Sequence, residues 1–241
     1  MLERAGRTLF RWRSFTPVPL VLVALPLLWR SRGPASPWWL AAGIGLCLLG
    51  QALRAWVIGQ VPDGTSGQNE KLIATQLNTE GPYALTRNPL YLGNLGITLG
   101  LCLVAHDPWL LVAVAALFGL QYRAIIAAEE GFLRSRFGAD FDAYCARVPR
   151  FWLRPGRPAS ARPWDFRRAL RKEHNPFAAW AALAIVLVAL DRYRQGAPVW
   201  PYATALGAVA LAWLCVKGWK HRWLRGGFAE DLRRRLRETP R

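Results

Sequence analysis

The apolar residues of this chain are grouped in long blocks separated by polar and basic segments. Six blocks can be distinguished: 15–29, 38–59, 89–105, 108–128, 176–190 and 198–216. Several are shorter than the ~20 residues with which a helix spans a bilayer. Six such blocks in one chain are nevertheless typical of membrane proteins. The pattern therefore predicts an all-α, polytopic transmembrane bundle of about six spans.

The order of the blocks suggests three regions. Residues 1–66 would form an amino-terminal transmembrane hairpin, which keeps its first helix because no good signal-peptide cleavage site follows it. Residues 67–155 would form a core, in which a tight helical hairpin is followed by a helix that continues past the membrane. Residues 156–241 would hold two more spans and a basic tail. A linker rich in proline and arginine, 149–175, is expected to precede those two spans.

The charge of the chain is consistent with a membrane location. The formal net charge is +17, and the basic residues cluster in the amino-terminal segment, in the stretch after residue 128 and in the tail. Six spans would place all three clusters on one side, as the positive-inside rule requires. We therefore expect both termini in the cytoplasm, in the inner membrane if the chain is bacterial. Anionic lipid headgroups are the expected partner of this charge, and nucleic acid is not.

Several other kinds of site find no support in the sequence. The four cysteines have no spacing typical of a disulfide or a zinc site, and the three histidines have no partners at metal-ligand spacing. No G-x-G-x-x-G segment follows a predicted strand, which argues against a Rossmann-type cofactor site. Gly93, Gly96 and Gly100 have the spacing of small residues that pack transmembrane helices closely. The sequence leaves the oligomeric state open.

Two polar clusters border the central helical hairpin. The first holds Arg87, Asn88 and Tyr91, and the second holds Glu129 and Glu130. A tight hairpin brings its two inner ends together, so the clusters should be neighbours. Ionisable groups near membrane depth mark either a functional site or an ion pair that locks two helices. A cation, carboxylates and aromatic rings together suit S-adenosylmethionine, whose amino group, carboxylate and sulfonium need those partners.

The same stretches carry a family resemblance. Residues 79–93 read T-x-G-x-Y-x-x-x-R-N-P-x-Y-x-G, and residues 129–149 read E-E-x-x-L-x-x-x-F-G-x-x-F-x-x-Y-x-x-x-V-P. Both motifs, in this order around a helical hairpin, resemble the isoprenylcysteine carboxyl methyltransferase family and its phospholipid methyltransferase relatives. The resemblance covers roughly residues 68–152. It implies a membrane-embedded, S-adenosylmethionine-dependent methyltransferase with a pocket for the cofactor on the cytosolic side.

The resemblance also implies roles for individual residues. In such enzymes the loop before the hairpin, the R-H-P-x-Y segment and the glutamates bind the cofactor, and an arginine before the glutamates reaches the acceptor. Carried over, the cofactor-binding residues are Gln68, Thr75, Gln76, Leu77, Asn78, Tyr83, Arg87, Asn88, Pro89, Leu90, Tyr91 and Glu129. The catalytic residues are Glu129, Glu130 and Arg123, of which either glutamate could take a proton from an amine acceptor.

This chain departs from the family in two places. Asn88 stands where better-known members have histidine; an amide can donate and accept hydrogen bonds but cannot titrate. Residues 153–241 extend beyond the resemblance and are expected to be scaffold. The acceptor, a lipophilic molecule, a lipid or a prenylated protein, is left open. An NADPH-dependent membrane reductase of the sterol-reductase type and a non-catalytic protein that retained the fold are the alternatives.

Overall fold

The computed structural model describes residues 36–61, 74, 76–156, 158 and 162–238, with side chains as far as residue 220. Regular structure in this part of the chain is helical throughout, which confirms the predicted all-α class. The helices are α1 (Pro37–Gln60), α2 (Pro82–Leu85), α3 (Pro89–Val104), α4 (Pro108–Phe137), α5 (Ala139–Arg147), α6 (Phe166–Arg194) and α7 (Trp200–Glu238).

The helices agree with a membrane bundle. Within the described ranges, four stretches are long and apolar enough to cross a membrane: Pro37–Gln60, Pro108–Phe137, Phe166–Arg194 and Trp200–Lys220. The shorter α3 has 16 residues, about 24 Å at 1.5 Å per residue, against a hydrocarbon core of ~30 Å. The first predicted span, 15–29, lies outside the described residues. The 30-residue α4 extends beyond the bilayer thickness, as predicted.

The hairpin between α3 and α4 is formed by local sequence signals. Proline occupies the first turn of both helices, where its missing N–H costs nothing. Asp107 caps α4, because its carboxylate accepts hydrogen bonds from the backbone N–H groups of Trp109 (2.8 Å) and Leu110 (3.1 Å). His106 turns the chain with a positive φ of 58°. This hairpin sets the register in which the inner ends of α3 and α4 face each other.

Glycines let α1 and α3 approach backbone to backbone, in the most extensive helix packing of the described structure. A Cβ atom on Gly50 would lie 2.5 Å from the carbonyl oxygen of Gly93, and one on Gly100 would lie 2.6 Å from that of Gly43. The predicted role of Gly93 and Gly100 in close packing is therefore confirmed. Because α1 packs so closely, it forms one unit with the hairpin.

The extension of α4 is divided into two helices. Gly138 has a φ of 51° and ends α4, after which α5 turns back. Phe141, Tyr144 and Val148 are buried together, with Leu77 packed against them. The predicted helix beyond the membrane is therefore present, but Gly138 divides it into the end of α4 and the separate helix α5. The result is a small apolar cluster next to the polar ends of the hairpin.

The predicted linker is too long. Residues 166–175 belong to α6, so the expectation of an irregular segment across 149–175 is wrong there. Asp165 caps the helix by accepting a hydrogen bond from the N–H of Arg168 at 2.9 Å, and its own N–H bonds to the carbonyl oxygen of Gly59. The charged residues of this stretch are good helix formers, and Pro176 is tolerated within the helix.

The carboxyl-terminal helix lies at the periphery. In α7, residues 200–220 contain no buried side chain, and the helix packs against α6. Its backbone continues through the basic tail to Glu238 without a break. The predicted last two spans are therefore present as α6 and α7, with α6 longer at its start than expected.

Candidate functional site

The two polar clusters meet at the inner end of the hairpin. The Tyr91 hydroxyl, in the first turn of α3, donates a hydrogen bond to a carboxylate oxygen of Glu129 on α4 at 2.7 Å. A phenol and a carboxylate at this distance form a short, charge-assisted bond. The predicted proximity of the two clusters is confirmed. Glu129 as a whole is half-buried, in contrast to the buried Glu130.

Glu130 belongs to an ion-pair cluster. Its side chain is 9% exposed; Arg87 Nη2 lies 3.5 Å from one oxygen, and Arg150 binds both oxygens through Nε (3.1 Å) and Nη2. This arrangement matches the structural alternative considered above, an Arg–Glu pair that ties helices together. The adjacent glutamates thus have different partners: a phenol for Glu129 and two guanidinium groups for Glu130.

A strap, defined as residues 149–154, runs beside the first motif. Four hydrogen bonds tie it to residues 85–88: Arg87 N–H to the Pro149 carbonyl (2.9 Å), Thr86 hydroxyl to the Arg150 carbonyl (3.2 Å), Asn88 amide to the same carbonyl (3.0 Å) and Arg154 N–H to the Leu85 carbonyl (2.8 Å). Together with the Arg150–Glu130 pair, these bonds fix the start of α3 against the inner end of α4.

The place of Asn88 explains how the chain can depart from histidine there. Its side-chain Nδ2 donates to the backbone carbonyl oxygen of Arg150. Its backbone carbonyl oxygen accepts from the N–H of Leu92 at the start of α3. Both bonds position backbone, and neither requires a group that titrates. Asn88 therefore supports the strap and the helix start in this structure.

Tyr83 lies on the short helix α2, close to Glu129. The hydroxyl of Tyr144 donates to the Tyr83 carbonyl oxygen at 2.8 Å and so anchors α2 to α5. Burial raises the pKa of the Tyr83 phenol, and the negative charge of Glu129 raises it further. The phenol is therefore a neutral hydrogen-bonding group at physiological pH. The phenol is thus near enough to Glu129 to be affected by its charge.

The remaining predicted cofactor residues are spread around this centre. Gln76 is exposed, with its amide 3.5 Å from the side-chain oxygen of Asn78, and Leu77 packs on the apolar cluster of α5. Pro89 is buried at the first position of α3, and Leu90 is half-buried. Gln68 and Thr75 lie outside the described residues.

Arg123 lies apart from the two glutamates. It is exposed on α4, two turns before Glu130 and on the same helix face. A long cationic side chain at this position can reach along the helix surface towards the inner interface. Arg123 is thus an exposed cation two turns from the buried Glu130 on the same face of α4.

Sequence reasoning missed two members of this region. Arg150 directly follows the V-P pair that ends the second motif, so its position next to the motif was a signal. Tyr122 stacks on Phe118 (ring centroids 3.9 Å apart) and meets the Tyr91 ring edge-on at 4.8 Å. It lies two turns before Glu129 in sequence, where the apolar block gave no sign of a role.

Replacing Glu130 by glutamine is expected to destabilise the protein. Arg87 and Arg150 would lose their shared carboxylate, at a cost of about 2–3 kcal/mol, below the range for fully buried pairs because Arg150 is partly exposed. Thermal unfolding in detergent measures this. Asp142→Asn is the matched control, because it breaks an exposed 2.8 Å pair with Arg134. Equal, small effects of both changes would contradict a stabilising role for the Glu130 cluster.

The raised pKa of Tyr83 gives an expectation at alkaline pH. Folding favours the neutral phenol, so this contribution to stability is complete below the ordinary tyrosine pKa of about 10 and is lost as the pH rises above it. The melting temperature of the wild type should therefore fall more steeply above pH ~10 than that of Tyr83→Phe. Tyr193→Phe, which changes an exposed tyrosine, should follow the wild type. Identical profiles for all three proteins would contradict this account of Tyr83.

Comparisons with known proteins agree with the motifs. Residues 38–140 match the model of the phospholipid methyltransferase family. Protein-S-isoprenylcysteine O-methyltransferase B of Arabidopsis thaliana is 30% identical over 122 residues, 48% of this chain and 61% of its own length. These matches confirm the family resemblance of the central region. No solved structure matches the chain.

Two bacterial relatives have names that refer to metals. The cobalt-zinc-cadmium resistance protein CzcN of Cupriavidus metallidurans is 31% identical over 120 residues, 49% of this chain and 55% of its own length. The nickel-cobalt-cadmium resistance protein NccN of Alcaligenes xylosoxydans xylosoxydans is 37% identical over 81 residues, 34% and 38% of the two lengths. The chain thus spans between about a third and two thirds of these relatives. Its described residues contain no group of three or more His, Cys, Asp or Glu side chains placed to hold a metal ion.

Proposed function

We propose that this chain, whose residues 38–140 match the model of the phospholipid methyltransferase family, is an integral membrane methyltransferase that uses S-adenosylmethionine and acts on a lipophilic acceptor. The observation that carries the proposal is the Tyr91–Glu129 hydrogen bond of 2.7 Å. It joins the two motifs of the resemblance at the inner end of a membrane hairpin. A polar cofactor can reach that point from the aqueous side, and an apolar acceptor from the bilayer.

The residues present fit the amino-acid end of S-adenosylmethionine. Glu129 is a half-buried carboxylate that can accept hydrogen bonds from the ammonium group. Arg87 is a half-buried cation whose buried Nε has no hydrogen-bond partner among the described residues, while Nη2 pairs with Glu130. A buried donor without a partner costs free energy, and a cofactor carboxylate would satisfy it. Asn78 and Gln76, on the loop before α2, add polar groups on the aqueous side.

The aromatic residues fit the sulfonium. Tyr83 and Tyr91 flank Glu129 from α2 and α3, and neutral aromatic faces attract cations within about 6 Å of the ring centre. When bound, S-adenosylmethionine would supply an electrophilic methyl group on its positively charged sulfur. Tyr122, packed on Tyr91, would hold that ring in one orientation. The protein would thereby contribute orientation and exclusion of water, which are its main means of accelerating an in-line displacement.

The two glutamates are proposed to divide their tasks. Glu129 would hold the cofactor and, for an amine acceptor, would take the proton, because it is half-buried and lies where the two motifs meet. Glu130 binds Arg150 through both oxygens and would hold the strap against α4. Arg123, on the open face of α4, would contact the acceptor headgroup. A carboxylate or thiolate acceptor would need no base.

Methyl transfer to defined acceptors tests this proposal. The purified protein, in vesicles of phosphatidylethanolamine, should transfer label from methyl-labelled S-adenosylmethionine to the lipid or to an added prenylcysteine or fatty acid, and Arg123→Ala should raise KM for the acceptor. Arg136→Ala, which removes an exposed arginine at the end of α4, is the matched control. Absence of transfer to all three acceptor classes, with the cofactor bound, would contradict the proposed acceptors.

A further inference from the structure

A further polar cluster connects α1 to α6, two helices that are long and apolar enough to cross a membrane. Arg54 and Glu173 form a bidentate pair, with Nε and Nη2 each 2.8 Å from a carboxylate oxygen and side chains 12% and 5% exposed. Gln51 donates to the same carboxylate at 2.9 Å and accepts from the indole N–H of Trp180 at 2.9 Å. Because its nitrogens are engaged, Arg54 neither extends to the interface nor offers a free site for a substrate carboxylate.

This cluster continues towards the candidate site. Nη1 of Arg54 donates to the side-chain oxygen of Asn94 on α3. The amide nitrogen of Asn94 then donates to the hydroxyl of Tyr122 on α4 at 3.3 Å. The Tyr122 ring meets the Tyr91 ring at 4.8 Å, and Tyr91 donates to Glu129. Contacts between side chains thus lead without a gap from α6 to the carboxylate of the candidate site.

The hydrogen-bonding groups of each residue in this series determine how the next side chain is oriented. A guanidinium group only donates, so Asn94 must direct its oxygen towards Arg54 and its amide N–H towards Tyr122. With that hydroxyl held and its ring stacked on Phe118, Tyr122 has one orientation against Tyr91. Removing Glu173 would leave Arg54 buried without a counter-charge, which favours a new position for its side chain. Asn94 would then lose the Arg54 donor that orients its side-chain oxygen.

We propose that Glu173 is a positioning residue for this site: through Arg54, Asn94 and Tyr122 it orients Tyr91 and so Glu129. Glu173 lies on α6, outside residues 38–140, so part of the site's support comes from beyond the family-matched region. The inference rests on the proposed function only for the ligand that Glu129 binds. A pair that merely joined α1 to α6 would stabilise the bundle without affecting Tyr91.

The first test needs no ligand. All six tyrosines are replaced by 3-fluorotyrosine in the full chain, and the ¹⁹F resonance of Tyr91 is assigned with Tyr91→Phe. Glu173→Gln should shift or broaden this resonance. Asp191→Asn should not, because it makes the same chemical change at the other end of α6, where Asp191 accepts from Gln195 at 2.7 Å. An unmoved Tyr91 resonance in folded Glu173→Gln would overturn the proposal.

Asn94→Leu covers the case in which Glu173→Gln does not fold, because it removes the middle link and keeps the Arg54–Glu173 pair. The Tyr91 resonance should move in this variant as well, and an unmoved resonance would overturn the proposal. Where both variants fold, the double variant should differ little from either single one. Additive shifts would show independent effects and would also overturn it.

The second test measures S-adenosylhomocysteine affinity by calorimetry well below the melting temperature. Glu173→Gln and Asn94→Leu should each weaken binding by about three- to thirty-fold, and their combination by no more than about the larger of the two. Partial recovery in Glu173→Asp would support the carboxylate as the cause. Unchanged affinity with a lowered melting temperature would mean structural support alone. If the wild type fails to bind but Tyr91 still moves, the proposed function is wrong and the positioning network stands.

Discussion

Glutamine at position 129 is expected to weaken S-adenosylhomocysteine binding by about 10- to 100-fold, the equivalent of one charge-assisted hydrogen bond of ~1.5–3 kcal/mol. The amide keeps the shape of the side chain and can still accept from Tyr91. It cannot neutralise the ammonium group of the ligand. The melting temperature should change little, because Glu129 is half-buried and glutamine keeps an oxygen that accepts from the neutral Tyr91 phenol.

The neighbouring glutamate provides the matched control. Glu130→Gln is the same chemical change one residue later, at a side chain held by Arg87 and Arg150. We expect the opposite profile there: a lower melting temperature with a smaller loss of affinity. Calorimetric titration and thermal unfolding of both variants measure the two quantities. Equal losses of affinity would mean that the division of tasks between the glutamates is wrong.

Alanine at Gly50 is expected to cause a large loss of stability, because it adds a methyl group where the backbones of α1 and α3 touch. The added Cβ would lie 2.5 Å from the carbonyl oxygen of Gly93 and 2.9 Å from the backbone nitrogen of Ile97, so the helices would have to separate. Overpacking of this kind costs about 1–3 kcal/mol, which corresponds to roughly 2–12 °C in melting temperature for a chain of this size. Thermal unfolding in detergent measures the change.

Gly45→Ala is the control for this prediction, because the same methyl group at position 45 meets nothing within 4 Å. Its melting temperature should equal or slightly exceed that of the wild type, since alanine favours helix more than glycine does. The same close packing places Arg54 of α1 against Gly93 of α3. A loss of stability at both positions would show that the cause is the loss of glycine, and would contradict steric contact between α1 and α3.

The hydrophobic pattern was sufficient to predict the class of the fold and the meeting of the two motifs. Block length separates helices that can cross a bilayer from loops, and a short connection at Asp107 forces α3 and α4 to be antiparallel neighbours. The pairing of Tyr91 with Glu129 follows from that geometry. By contrast, the start of α6 at Phe166 was not predicted. A basic helix on the surface and a basic linker have similar compositions, so the sequence did not distinguish them.

Long-range polar pairing was the part that sequence could not supply. Arg54 and Glu173 are 119 residues apart, and no local spacing indicates which buried cation meets which carboxylate. The same holds for Asn94 and Tyr122, which lie 28 residues apart in two different apolar blocks. In the proposed cofactor site, the sequence assigned Glu129 to the cofactor and left either glutamate as the base. It did not indicate that Arg150 of the strap binds Glu130 through both oxygens.

Binding of S-adenosylhomocysteine to the purified, full-length protein tests the central claim most directly. Isothermal calorimetry in detergent is run with NADPH as the parallel ligand, because the reductase alternative would use that cofactor. We expect one-to-one, micromolar binding of S-adenosylhomocysteine and no heat from NADPH. Binding of NADPH alone, or of neither ligand to protein with a cooperative melting transition, would contradict a methyltransferase site at Glu129.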